Sequence, residues 1–76
     1  RLFIEKKKYN DSVYILEKII TRFPNRVVAY LNLGDSYWEL GNKNNAKNFY
    51  SKYLLLMTSQ NKDLKKIPQR VYERIK

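Results

Sequence analysis

Asp35 and Glu39 stand four residues apart, so on a helix their carboxylates share one face, a turn from each other. Paired carboxylates are the least that general acid–base chemistry requires. Nothing else in the chain completes such a site. Its 76 residues include no histidine and no cysteine, which removes the commonest general base, the commonest metal ligand and every thiolate nucleophile. No glycine-rich loop is present to cradle a phosphate. An enzyme is therefore not expected, and neither a metal nor a cofactor is called for. The same stretch reads better as a surface to be gripped. Trp38 either packs as ordinary core or offers the rigid aromatic bulk on which binding energy concentrates.

The elements that must carry these residues follow from composition and spacing. The chain is short enough that burying a sufficient core is difficult without neighbouring sequence or a partner. It opens on Arg1 rather than methionine, and Arg1 to Lys7 reads as the tail of an earlier element, so a fragment of a longer protein is expected. The formal charge is +9, which fits an acidic partner, nucleic acid or an anionic surface. The lysines are spread along the chain, however, and general lysine-rich composition is the simpler account. No apolar stretch approaches the roughly 18 residues that cross a bilayer, and no signal-peptide layout opens the chain. A soluble protein is expected, with the cytoplasm the default compartment.

Apolar residues recur at helical spacing throughout, and no strand is predicted. After the turn-prone pair Asn10-Asp11, residues Val13, Leu16, Ile19, Ile20 and Phe23 form one stripe that Pro24 ends. This places Lys6-Lys7-Lys8 at a hairpin corner. Asn25 is positioned to cap a second helix with Tyr30, Leu33, Gly34, Tyr37 and Leu40 inward. Gly41 stops that helix, and Asn42 caps the third, whose stripe is Ala46, Phe49, Tyr50, Tyr53, Leu54 and Met57. Leu64, Ile67, Val71 and Ile75 indicate a last helix. Within it Pro68 demands either a kink after an Asp63 cap or a start near Pro68 itself.

A shift of 34 residues superimposes Phe3 on Tyr37, Ser12 on Ala46, Leu16 on Tyr50, Ile19 on Tyr53 and Leu33 on Ile67. The segment from Tyr30 to Gly41, with Leu33-Gly34 and Tyr37, resembles the first helix of a tetratricopeptide repeat, and Ala46 and Tyr50 fit its second. Gly34 and Ala46 are small where two helices of a hairpin approach, and Tyr37 and Tyr50 fill the space around them. The resemblance implies an all-α fold of antiparallel helix-turn-helix repeats, forming a short right-handed superhelical array with a C-terminal capping helix. Residues 1–23 are then the remainder of a first repeat, 24–57 a complete one, and 58–76 the cap, all in one domain. Tyr53 in place of a small residue, and Thr58 in place of the closing proline, indicate that the array ends here.

Such an array implies a concave groove that takes a peptide or a protein surface. By resemblance, Val28, Leu31, Asn32, Asp35, Trp38 and Glu39 face it. Some members hold a terminal carboxylate between asparagines and basic residues, and Asn32, Lys62 and Lys66 fall at matching places. The expected function is a protein-interaction module. The alternatives are a regulatory or neutralising binder, like a secretion chaperone or a toxin-immunity protein, and nucleic-acid contact by the basic last helix through Lys65, Lys66, Arg70, Arg74 and Lys76. Stacking against further repeats or a second copy of the chain is the structural reading.

Overall fold

Pro24 sets the first boundary of the chain. In the computed structural model, which describes residues 2–76 with side chains from Lys6 onward, helix α1 runs Leu2–Arg22 and stops just before it. The turn then closes through the Arg26 amide, which donates to the Phe23 carbonyl at 3.0 Å. Helix α2 spans Val27–Glu39 and helix α3 Lys43–Ser59. A single 3-10 turn, Leu64–Lys66, precedes a short helix α4 at Gln69–Arg74. There is no strand among the described residues.

The sharp reversal between α2 and α3 arises from Gly41, whose φ of +84° places it in the left-handed region that closes a helix. The Asn42 amide reaches back to the Tyr37 carbonyl at 2.9 Å and the Gly41 amide to that of Trp38 at 3.0 Å. Asn42 then caps α3, its side chain accepting from the Asn45 amide. The same double bond pattern ends α3, with Asn61 at φ 56° in the glycine position and Lys62 bonding back to Met57.

With this reversal α3 folds back along α2, and the two helices meet most closely at Gly34. A Cβ there would lie 2.6 Å from two atoms of the Tyr50 ring, so only glycine lets this ring pass. Ala46 and Tyr50 are fully buried opposite it. Tyr37 stacks on Phe49 with centroids 5.4 Å apart. Ile67 and Val71 close the far side of the core. On the other flank α2 packs on α1, where the Tyr37 hydroxyl donates to the Glu17 carboxylate at 2.7 Å.

Several sequence expectations change. No turn interrupts the chain at Asn10-Asp11: α1 is continuous through them, and Lys6-Lys7-Lys8 lies within the helix rather than at a corner. The helix penalty of an asparagine and an aspartate is only about 0.7 kcal/mol each, less than a long face packed on α2 returns. Arg1 lies outside the described residues, as does the side chain of Phe3, which the repeat offset pairs with Tyr37. Asn25 is not the cap of α2. That position falls to Arg26, without a side-chain bond, because Pro24 and Asn25 are held in the turn by bonds from the Tyr30 hydroxyl and the Gln60 amide to their carbonyls. Phe23 and Leu64, expected inward, are exposed, whereas Val27, Ala29 and Leu56 are buried. Of the two arrangements left open at Pro68, the late start is found: Asp63 caps the 3-10 turn through the Lys65 amide, and α4 begins after Pro68.

Candidate functional site

The most strongly built polar cluster centres on Asp35, on the face of α2 that α4 approaches. Arg70 grips its carboxylate with two bonds, Nε to Oδ1 at 2.9 Å and Nη2 to Oδ2 at 2.8 Å. The Tyr50 hydroxyl donates to Oδ1 at 2.5 Å and accepts from Arg74 Nη1 at 2.9 Å. Burial works against the charged form of Asp35, yet bonds from Arg70 and Tyr50 and the charges of Arg70 and Arg74 outweigh it, and the carboxyl lies below its ordinary value. Tyr50 is pushed up to about 12, first by burial and then by Asp35, with Arg74 pulling the other way. Tyr37 also rises to about 12, through burial and then its bond to Glu17. The Asp35 carboxylate is thus occupied by Arg70, Arg74 and Tyr50.

Trp38 is half-buried, one turn along from Asp35. The Arg74 guanidinium sits 4.8 Å from its ring centroid and the Lys43 ammonium 4.9 Å, both within cation–π range. Its ring is therefore shared between the base of α3 and the last helix.

The six residues expected to face one groove recur along one side of α2 and border different features. Asn32 and Asp35 line an open cleft of about 380 Å³ between α1 and α2, opposite Tyr9, Ser12, Ile15 and Leu16. Val28, 61% exposed, lines a different cavity. Leu31 packs beside the core, Trp38 lies against Arg74, and Glu39 is exposed. Nor does one cavity gather the three residues matched to a carboxylate clamp: Asn32 borders the α1–α2 cleft, while Lys62 and Lys66 border the cavity shared with Val28. The Asp35–Tyr50–Arg70–Arg74 cluster itself was missed. The legible signal was the pair of arginines four apart on the last helix, which require a carboxylate if that helix packs.

Two helices closed by a glycine reversal, with one small residue from each at their crossing and a third helix laid along the first, define a helical-hairpin repeat. Residues 27–56, which span all of α2 and most of α3, match the family model of the tetratricopeptide repeat. The α2–α3 hairpin is thus similar to a tetratricopeptide repeat, a family whose general role is protein–protein interaction. No curated protein and no solved structure matches the chain. No described helix is long and apolar enough to cross a membrane.

Proposed function

We propose that this chain is a protein-binding module that receives a partner segment in the cleft between α1 and α2, with Asn32 as the polar contact. In this reading the second half of α1 stands as the last helix of a preceding repeat, and residues 58–76 cap the array. The observation that carries it is the apolar lining left open beside Asn32: Ile15, on the cleft wall, is 57% exposed. An amide beside an uncovered aliphatic surface suits a peptide, whose backbone needs paired hydrogen bonds and whose side chains need a dry contact. Arg70 and Arg74 direct their charge to Asp35, which weighs against nucleic-acid contact by the last helix.

The test is capture of partners from an extract of the source cell by the complete protein and by an Asn32→Ala, Ile15→Ser variant of equal helicity. Loss of a specific band supports the cleft as the working surface. Capture unchanged by the double substitution refutes it. A single tight one-to-one partner would favour the neutralising form of this function over a general scaffold.

A further inference from the structure

Helix α4 is held by few groups, and each meets something the α2–α3 hairpin already presents. Among the described residues, every side-chain hydrogen bond between α4 and the hairpin comes from Arg70 or Arg74, and Val71 is the α4 residue buried in the core. On the hairpin side the slot consists of the Asp35 carboxylate, the Tyr50 hydroxyl, the Trp38 ring and the apolar surface that includes Tyr53. None of this needs α4 to assemble it. The crossing at which Gly34 admits the Tyr50 ring also sets the adjoining Asp35 beside the Tyr50 hydroxyl, and those two bond to each other within the hairpin.

Although the chain is +9 overall, these groups select a cation of one shape. Tyr50 donates its proton to Asp35, so its oxygen can only accept. The two Asp35 oxygens lie side by side and take Nε and Nη2 of a single guanidinium, a fork that an ammonium cannot supply. The Trp38 face takes a second guanidinium one turn along. Meanwhile α4 is loosely tethered: residues 60–68 hold one 3-10 turn, with extended backbone at Asp63, Ile67 and Pro68, and the Arg70 side chain is still 43% exposed. Its grip on Asp35 is open to a competitor.

We propose that α4 is an internal ligand, and that its slot takes in its place a helix of a partner protein bearing an arginine, an adjoining aliphatic residue and a second arginine one turn on, the pattern of Arg70, Val71 and Arg74. The tethered helix competes at an effective concentration in the millimolar range, so it excludes weak ligands and yields to tight ones. The proposal rests on the reading of the chain as a protein-binding module, but it uses the side of α2 that α4 covers and shares only Asp35 with the Asn32 cleft.

The test is titration of the isotope-labelled full chain, followed by amide resonances, with an amide-capped, alanine-rich helical peptide carrying arginine, valine, two alanines and arginine. At about 1 mM peptide the Val71 and Glu73 resonances should move towards unstructured positions while those of Gly34 and Ala46 stay dispersed. Arg70→Ala, Arg74→Ala in the chain weakens the internal competitor and should tighten peptide binding by about tenfold or more, whereas Asp35→Asn should weaken it by a similar factor. The proposal is overturned if wild type does not release α4, if a peptide with lysines for arginines binds as well, or if the arginine-free variant binds more weakly than wild type. Should that variant not fold, the wild-type comparison of the two peptides decides alone. A concentration-dependent dimer that exchanges α4 in the absence of peptide also overturns it, the occupant then being a second copy of the chain. Asn32→Ala, Ile15→Ser should leave this titration unchanged, so failure here leaves the cleft standing, and failure of the cleft leaves this result intact.

Discussion

Gly34→Ala sets helix propensity against packing at a single atom. Alanine is the better helix former by about 1 kcal/mol in the middle of a helix, and on an exposed face the substitution would stabilise α2. Here the added methyl would sit 2.6 Å from the Tyr50 ring at two atoms, about an ångström inside normal contact. The ring has no room to swing aside, being fully buried and tethered at its hydroxyl by Asp35 and Arg74. Overpacking of this kind costs up to about 3 kcal/mol, so the net loss is about 2 kcal/mol. For a domain of this size that lowers the melting temperature by roughly 8–16 °C. The assay is thermal unfolding followed by circular dichroism, with Tyr50→Leu and the double variant completing a cycle. Once the ring is gone, the Gly34→Ala change should become neutral or stabilising. If Gly34→Ala alone raises the melting temperature, or costs the same in both backgrounds, the close helix approach is not what requires glycine.

Asp35→Asn should destabilise the chain by about 1–2 kcal/mol, a range held down by the partial exposure of the Arg70 pair. Because the folded-state pKa lies below the ordinary 3.8, wild type keeps this contribution above about pH 4 and loses it as pH falls through the folded value. Thermal melts at descending pH should show an acid limb that is weaker in Asp35→Asn; identical limbs would mean the carboxylate is not the linkage. Gly41→Ala, with nothing within 4 Å of the new methyl, should cost about 1–2 kcal/mol from backbone conformation alone. Denaturant unfolding checks it, and the cost should persist in the Tyr50→Leu background, where that of Gly34→Ala disappears.

The α2–α3 hairpin was legible because its determinants are local. Gly41-Asn42 fixes the reversal, and the spacing of Leu33-Gly34 and Ala46-Tyr50 marks the crossing. The same locality misled elsewhere. Asn10-Asp11 favours a turn in isolation, but a small propensity cost yields to tertiary packing along α1. The run Leu54-Leu55-Leu56 has no polar residue to phase it, so the stripe took in Leu54, which does pack against the core, but not Leu56, which is buried, while Leu55 is 60% exposed. Asp35 meets Arg70 and Arg74 across 35 and 39 residues, a pairing that no periodicity within one helix encodes. It also bears on the face expected to bind. Asp35 and Trp38 are engaged by the last helix, and Asn32 remains on the open side.

The chain has a single tryptophan, and the last helix rests a guanidinium on it. Six residues are far too few for a helix to persist detached, so when α4 lifts it unravels, and the indole exchanges a cation for water. Indole emission would then change while the far-ultraviolet signal, dominated by the three long helices, scarcely moves. Departure of the C-terminal end and collapse of the hairpin are therefore separable optically in unlabelled protein, with the chain supplying its own gauge.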